Sequence, residues 1–322
     1  MITATFATQP NDLCGSSAAC LRSDIVRALM TPQEAIVEFA GRTCYRSVDK
    51  MGHAPKFLHA RMAEGHQDIF EHVWITAVLI DDDDSVNLIE SHRYAWVTRT
   101  ENGQWCYVSA NMRVWLELAR TILVARSVVA RYLPGMFVGH QSELPAPSAR
   151  VEMPERSVAG RATVNLIGIH HPQIQVGADV ELHWAATFLL DGVSRALTHQ
   201  LVRHRLLSFS QESQRYVSLD KGGWYPIVPS AIASKTQARQ IVDETWRAIE
   251  RGYEQLRELG IRKEDARYLL PNATSTTIMV SGSIAAWRDV FGQRCAPDAQ
   301  WEIRDVANAM KSMLIDLGVY RE

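Results

Sequence analysis

Three apolar runs rich in β-branched and aromatic residues constrain the fold of this chain most strongly. They are EHVWITAVLI, with a strand expected over 73–80, ELHWAATFLL and TSTTIMVSG. Runs of this kind are typical of buried or half-buried strands. The stretches between them, such as SRALTHQLVRHRLL, place apolar residues at helical spacing. The alternation predicts an α/β (α+β) protein with a central mixed sheet flanked by helices.

The first helix is marked by its N-terminal cap. Thr31 precedes Pro32, and Glu34 stands where it can complete a capping box. Further helices are expected around KFLHARMAEG and at about 235–258, 263–270, 285–291 and 298–317. Residues 1–20 are small and polar, which indicates a loose leader.

Composition narrows the class of protein. Of 322 residues, 47% are hydrophobic and 22% are charged, a balance typical of a globular protein. The formal net charge of -2 gives no overall cationic field for a polyanion or a membrane surface. Phosphate groups would have to be bound locally, and we expect neither a nucleic acid nor a membrane as partner.

The cysteines and the N-terminus bear on location. Five scattered cysteines with no C-x-x-C pair indicate neither a disulfide framework nor a zinc site, and no metal is expected. The start MITATFATQPNDLCGSS lacks the basic and apolar regions of a secretory signal, and no apolar run approaches the roughly 18 residues that span a bilayer. The sequence therefore predicts a cytoplasmic protein.

Residues 81–180 read as an insertion in the main domain. They hold a charged loop, the helix-like stretch NMRVWLELARTILVARSVVARYL and the linker-like SELPAPSARVEMPERS. The expected division is a leader over 1–20, a catalytic domain formed by 21–80 and 181–322, and the insertion over 81–180. One echo crosses this boundary: QWCYVSANMRVWLEL resembles TTIMVSGSIAAWRDV, although so short a match could arise by chance.

The segment RHRLLSFSQESQRY carries the densest chemistry. It holds three arginines, a histidine, three serines and two glutamines, all able to donate hydrogen bonds to a phosphate or a pyrimidine edge. Arg203, His204 and Arg205 fall near the end of a predicted helix. Basic residues there are also stabilised by the helix dipole without any ligand. Residue chemistry alone leaves an anion site and a plain basic helix end as alternatives.

The order of these residues resembles the signature of flavin-dependent thymidylate synthases, the ThyX family: Arg-His-Arg, seven residues of any type, then a serine, here Ser213. The wider string THQLVRHRLLSFSQESQRYV is similar to the family pattern along nearly its full length. AGRTCYRS, GHQDIFEH, ARYLLPNAT and RCAPDAQWEIR follow in the family's order. The resemblance implies a ThyX-like fold and sites built between the subunits of a homotetramer.

The resemblance also implies roles, residue by residue. Arg267 and Arg294 are the candidate catalytic residues, polarising the pyrimidine. The residues implied to bind the nucleotide substrate are Gln200, Arg203, Gln211, Ser213, Gln214, Arg215, Arg267 and Arg294. Those implied to bind FAD are Cys44, His72, Arg203, His204, Arg205, Ser210, Gln211, Ser283 and Asp289. Ser213 is expected to bind by hydrogen bonds rather than to act as a nucleophile, because no orienting His/Asp pair is evident nearby.

The implied reaction is reductive C5-methylation of dUMP to dTMP. FAD and NADPH would supply reducing equivalents, and 5,10-methylenetetrahydrofolate the one-carbon unit. One alternative is the same reaction on UMP in nucleoside-antibiotic biosynthesis, as in the polyoxin pathway. A second is a flavin- or nucleotide-binding protein without turnover, and nucleic-acid binding through the basic helix is a third. The nucleic-acid alternative is disfavoured because no aromatic residues interleave the arginines.

The chain departs from the family pattern in its last strand-to-helix turn. The family opens that helix with Asn-x-Arg, whereas Ser283 and Ala285 stand here, with Asp289 four residues later in place of His or Asn. In the echoed segment, Asn111 and Arg113 have the missing spacing. We hypothesise that Asn111 and Arg113 supply the flavin pocket; the alternative is that Asn111 only caps its helix.

Overall fold

The computed structural model describes residues 31–80, 83–101, 103–136, 162–172 and 180–321. The predicted leader and the linker-like SELPAPSARVEMPERS lie outside these residues. The helices of the first part are α1 (Pro32–Tyr45), α2 (Ala54–Ala63), α3 (Asp83–Glu90), α4 (Met112–Leu118) and α5 (Leu123–Tyr132). Those of the second part are α6 (Val180–His183), α7 (Arg195–Leu201), α8 (Leu219–Gly222), α9 (Ser230–Ala233), α10 (Thr236–Glu258), α11 (Lys263–Ala266), α12 (Ile284–Arg294) and α13 (Trp301–Asp316).

The strands form two sheets. Strands β1 (Trp74–Ile80), β2 (Ala95–Arg99) and β3 (Trp105–Asn111) make a sheet of order β1-β3-β2. Strands β4 (Thr163–His170), β5 (Ala185–Ser194), β6 (Ser208–Gln211) and β7 (Ser275–Ser283) make a second sheet of order β4-β5-β7-β6. Single 3₁₀ turns occur at Val48–Lys50, Asp68–His72, Pro134–Met136 and Arg267–Leu269.

The predicted α/β class is confirmed, but the arrangement of the strands differs from the single mixed sheet expected. Every pairing in the two sheets is antiparallel. A mixed sheet needs at least one parallel pair, which would require a crossover between neighbouring strands. In the orders β1-β3-β2 and β4-β5-β7-β6, every pair of neighbouring strands is antiparallel.

The segment predicted as an insertion contributes to the main core. Val86, Ile89, Val108 and Trp115 are fully buried and pack in one cluster with residues of α1 and β1. Strand β4, also within 81–180, pairs with β5. A second cluster lies between the four-stranded sheet and α12 and α13. Residues 83–136 are therefore packed as an integral layer of the protein.

Local sequence determines where the helices begin. The Thr31 hydroxyl accepts from the backbone N–H of Glu34 at 3.1 Å, and the Glu34 carboxylate accepts from the backbone N–H of Thr31 at 3.0 Å. This confirms the predicted capping box. Ser194 and Ser283 cap α7 and α12 through their side chains.

Membrane-spanning helices and metal clusters are both absent from the described ranges. No helix within them is long and apolar enough to cross a membrane. The same residues contain no group of three or more His, Cys, Asp or Glu side chains placed to hold a metal ion.

Candidate anion-binding site

The Arg-His-Arg segment lies directly after α7, as predicted from the apolar spacing. Val202 is the C-cap of α7, and the backbone N–H of His204 donates to the carbonyl of Leu201 at 3.1 Å. This turn buries His204 and leaves Arg203 and Arg205 exposed on either side. Two cationic side chains therefore reach solvent from a rigid, buried anchor.

His204 is fixed by groups from α12. Arg294 donates from Nε to His204 Nε2 at 2.9 Å, and Asp289 Oδ2 lies 3.3 Å from His204 Nδ1. Because Nε2 accepts, the proton of the neutral ring is on Nδ1 and is donated to Asp289. Burial and, less strongly, Arg294 lower the pKa of His204, while Asp289 raises it. His204 is thus held neutral, with Arg294 beside it.

Arg294 also connects the segment to α7. Its Nη2 donates to the carbonyl of Gln200 at 3.4 Å, and the Gln200 amide donates to the carbonyl of Ala196. The structure therefore brings Gln200, His204, Asp289 and Arg294 together. Asp289, expected at a flavin-contacting position, here holds His204.

His72 occupies a buried position between the two sheets. Its Nδ1 lies 2.7 Å from Ser281 Oγ, and its Nε2 lies 2.9 Å from Ser210 Oγ. Burial lowers the pKa of His72 to about 4. Both ring nitrogens of His72 are engaged within the protein, so its structural role is shown, whereas its predicted contact with FAD stays a prediction, as does that of Ser210.

The AGRTCYRS block packs against the predicted nucleotide segment. The backbone N–H of Ser213 donates to the carbonyl of Cys44 at 2.9 Å. Burial raises the pKa of Cys44 to about 12, with Asp68 adding to the shift. Cys44 is therefore a protonated thiol that supports the site rather than a nucleophile. The Ser213 hydroxyl accepts from the backbone N–H of Arg215 at 3.3 Å, within a turn.

A second group of cations surrounds Glu212, and sequence reasoning missed two of them. Arg46 Nη1 lies 3.0 Å from Glu212 Oε1, and Arg195 donates to the Glu212 carbonyl at 2.7 Å. Burial lowers the pKa of Arg195 to about 10; Glu212 opposes this shift and nearby Arg267 adds to it. Arg46 and Arg195 could have been found, because both stand inside blocks already singled out, AGRTCYRS and SRALTHQ.

The other predicted substrate residues border this group. Gln211 donates to the hydroxyls of Thr198 and Thr276 at 3.0 and 3.4 Å. Arg267 donates to the carbonyl of Glu264, and the Arg215 guanidinium lies 3.6 Å from the Glu264 carboxylate. Gln214 is half-buried in the turn that follows Ser213. Their direct contacts with a nucleotide stay predictions.

The departures at the helix starts are also visible. Ser283 is buried and accepts from the backbone N–H of Ala286 at 3.2 Å, so its hydroxyl caps α12. Asn111 caps α4 by accepting from Val114 at 3.1 Å, as the simpler alternative for that residue predicted. Its amide Nδ2, however, is buried with no hydrogen-bond partner among the residues described. The cap therefore uses only the oxygen of Asn111.

Tyr94 connects the Arg-His-Arg segment to the neighbourhood of Arg113. Arg113 Nη1 lies 2.6 Å from Glu71 Oε1, and Tyr94 donates its hydroxyl to the carbonyl of Arg205 at 2.9 Å. Burial raises the pKa of Tyr94, and Glu71 and Arg113 are both near enough to act on that hydroxyl. Tyr94 thus contacts the backbone that carries Arg205, with Glu71 and Arg113 near the Tyr94 hydroxyl.

The fold and the site define an α/β protein with a concentration of cationic and hydrogen-bonding groups where α7 leads into β6. Residues 179–317 match the family described as "Thymidylate synthase complementing protein". This part of the chain is therefore similar to that family, in agreement with the resemblance seen in the sequence.

Curated relatives agree with the family match. The chain is 42% identical over 128 residues to the "Flavin-dependent thymidylate synthase" of Geobacter sulfurreducens, covering 40% of this chain and 55% of that protein. It is 44% identical over 148 residues to the protein of the same name in Nitratidesulfovibrio vulgaris, covering 44% and 57%. It is 39% identical over 146 residues to the protein of that name in Clostridium tetani, covering 40% of this chain and 58% of that protein. The chain spans little more than half the length of these relatives.

Proposed function

We propose that the protein is an enzyme that methylates dUMP at C5 to give dTMP, with FAD as bound cofactor, NADPH as reductant and 5,10-methylenetetrahydrofolate as carbon donor. The observation that carries the proposal is the Arg203-His204-Arg205 turn, with exposed arginines flanking a buried neutral histidine inside the family-matched segment. The name shared by the curated relatives supports the same activity.

The charges of the site fit these ligands. FAD carries a diphosphate, and a nucleoside monophosphate adds about two negative charges, which need fixed cations when partly buried. Arg203 and Arg205, on either side of His204 in the chain, reach solvent. Arg215 and Arg267 lie around Glu264, and Arg294 lies on His204. These groups can hold phosphates and carbonyls without any overall positive charge on the protein.

The position of each residue indicates its role in the reaction. When bound, FAD supplies the redox chemistry and the folate supplies the one-carbon unit. Arg294 is our candidate for stabilising negative charge that develops on the pyrimidine carbonyl, because His204 and the Gln200 carbonyl orient its guanidinium. Arg267 is the second candidate. Asp289 keeps His204 in one tautomer and therefore acts as a positioning residue.

The proposal extends to location, assembly, substrates and the alternative nucleotide. We place the protein in the cytoplasm as a homotetramer whose sites lie between subunits, with small-molecule nucleotide and folate substrates. UMP is the alternative nucleotide, which would mark a member specialised for nucleoside-antibiotic biosynthesis. Binding the 2′-hydroxyl of UMP would require only one additional hydrogen-bonding group and space for the hydroxyl.

The test is turnover of the purified protein with FAD, NADPH and 5,10-methylenetetrahydrofolate, supplied with dUMP or UMP, with the product identified by mass. We expect a product heavier by one methyl group, formed faster from dUMP. A large preference for UMP would support the specialised alternative. A yellow protein that NADPH bleaches and oxygen reoxidises, without methylated nucleotide, would leave a flavin-binding protein and overturn the enzymatic proposal.

Variants sharpen the assignment of roles. Arg294→Ala is expected to reduce kcat by about 100-fold, the usual loss when one donor to a developing negative charge is removed. Arg239→Ala is the matched control, because Arg239 is paired with Asp243 on the surface of α10. Equal loss in both variants would contradict the role given to Arg294.

A further inference from the structure

The two sheets contain the same succession of elements. In the first, β1, α3, β2, β3 and α4 follow one another. In the second, β5, α7, β6, β7 and α12 come in the same order, with α8 to α11 between β6 and β7. In each, the third strand, which precedes the last helix, pairs with the first and second strands of its set. We call residues 71–118 unit one, and residues 182–211 with 275–290 unit two.

Hydrogen bonds at the start of the last helix agree between the units. Met112 donates its backbone N–H to Val73 at 2.7 Å, and Ile284 donates to Trp184 at 2.8 Å. Each acceptor immediately precedes the first strand of its unit. The match is therefore in backbone geometry as well as in the order of elements.

A buried tryptophan repeats in the same way. Trp115 donates from Nε1 to the carbonyl of Ile75 at 3.3 Å, and Trp287 donates to that of Ala186 at 3.1 Å. Ile75 and Ala186 are each the second residue of the first strand. Both tryptophans are fully buried.

A histidine from each unit binds two hydroxyls of the other. His72 of unit one contacts Ser281 through Nδ1 and Ser210 through Nε2. His183 of unit two contacts Ser109 through Nδ1 at 2.8 Å and Thr98 through Nε2 at 2.8 Å. In both histidines Nδ1 contacts the third strand of the other unit and Nε2 contacts its second strand, at equivalent positions. An approximate two-fold axis between the units would produce this reciprocal arrangement.

Unit one also carries a reduced form of the Arg-His-Arg turn. When Thr98 of β2 is aligned with Ser210 of β6, Ser91-His92-Arg93 is equivalent to Arg203-His204-Arg205. His92 lies 3.8 Å from Glu117 of α4, as His204 lies 3.3 Å from Asp289 of α12. Ser91 in place of the first arginine removes one cation.

The polar side chains that face the partner unit's turn are present in unit one but not in unit two. Beside Arg205 of unit two, unit one presents Glu71, Tyr94 and Arg113, with Asn111 at the start of the same helix. Their counterparts in unit two, which would face Arg93, are Leu182, Leu206, Ala285 and Ser283. These side chains offer one hydroxyl, already used as a helix cap. Unit one also has the short stretch 100–104 where unit two has 212–274 with Arg215 and Arg267.

We propose that residues 71–118 are a second copy of the unit that bears the Arg-His-Arg turn. At the flavin part of the site this copy takes the place of a neighbouring subunit, and it completes a single flavin site in cis through Arg113 and the unpaired amide of Asn111. The symmetry-related position no longer binds a ligand. The proposal rests on the proposed function for the identity of the ligand. Arg113 is a charge-bearing donor to an anionic group, and the buried Nδ2 of Asn111 is a donor whose burial cost a bound acceptor would offset.

The experiment is a titration of the full chain with FAD, followed by flavin fluorescence, together with the FAD content of the saturated protein. We expect one FAD per chain. Arg113→Ala is expected to raise the Kd for FAD by about 10- to 100-fold, and Arg113→Lys by less, because lysine keeps the charge but not the two-pronged geometry. Arg239→Ala is the control and should leave the Kd unchanged.

Asn111→Ser separates the amide from the helix cap. Serine caps α12 at the equivalent position 283, so the variant retains a cap and loses only Nδ2. We expect its Kd for FAD to rise about 3- to 10-fold with a melting temperature close to that of the wild type.

The outcomes separate the two proposals. Two FAD per chain, or wild-type Kd values in Arg113→Ala and Asn111→Ser, would overturn the inference while the proposed function stands. A wild-type protein that binds no FAD at all would overturn both.

Discussion

The buried histidine at the interface of the two units makes a quantitative prediction about acid stability. His72 is almost fully buried, and both ring nitrogens contact serine hydroxyls. Burial lowers its pKa from the ordinary 6.5 to about 4 in the folded protein. Unfolding returns the ring to water, where it binds a proton below pH 6.5. The stability that His72 provides is therefore full above its unfolded pKa and is lost as the pH falls from 6.5 towards 4.

The magnitude follows from the two pKa values. At pH 5 the unfolded state has bound most of a proton at His72 and the folded state almost none, which lowers the free energy of unfolding by about 2 kcal/mol relative to pH 7.5. His170, whose pKa burial lowers to about 3, contributes in the same direction. The contribution of His72 is therefore obtained by comparing the pH dependence of stability in the wild type with that in a variant that lacks His72.

The measurement is urea unfolding of the wild type and of His72→Gln at pH 5 and 7.5. Glutamine keeps a hydrogen-bonding side chain but cannot titrate, so the loss of stability between the two pH values should be smaller in the variant by about 2 kcal/mol. His53→Gln, at an exposed position, is the control for removing a histidine. Equal pH dependence in wild type and His72→Gln would refute the reasoning.

Four further predictions concern single sites. Glu302→Ala should lower the free energy of unfolding by about 3 kcal/mol in a urea titration, because Ser194 loses the carboxylate that accepts from its N–H and hydroxyl in a buried position. Cys44, whose pKa burial raises to about 12, should resist iodoacetamide at pH 8 in the folded protein and react in urea, as followed by peptide mass. Asp289→Ala should lower the pKa of His204 further, seen by NMR titration, because burial and Arg294 then act without the opposing carboxylate. Gly282→Ala should cost about 1–3 kcal/mol in urea unfolding, because its new methyl would meet Leu207, and adding Leu207→Ala should remove that clash and give a favourable coupling energy.

Strong local signals made much of the fold predictable. The Thr31 capping box, the β-branched runs and the apolar spacing before Arg203 each follow from neighbouring residues, and the structure confirms all three. The pairing of strands depends instead on contacts between residues far apart in the chain. A run such as 73–80 indicates a strand but does not reveal its partner, so the division into two antiparallel sheets was not predicted.

The candidate site shows the same limit. The motif predicted Arg203, His204 and Arg205, and their position at the end of α7 is confirmed. The environment of each side chain was not accessible: Asp289 was expected at a flavin position and holds His204, and Ser283 caps a helix. Arg195 stands in a block that the sequence had singled out, but its contact with the Glu212 carbonyl depends on a residue 17 positions away and was not predicted.

The reciprocal histidines affect how this protein can be divided. The family match begins at residue 179, after the whole of unit one. A fragment cut there would lose His72 and leave Ser210 and Ser281 without their ring partner, and it would expose the apolar face that unit one covers. The boundary of recognisable homology is thus not a boundary of independent folding. A gene fragment designed from the homologous region alone would encode half of an interface, with the solubility problems that follow.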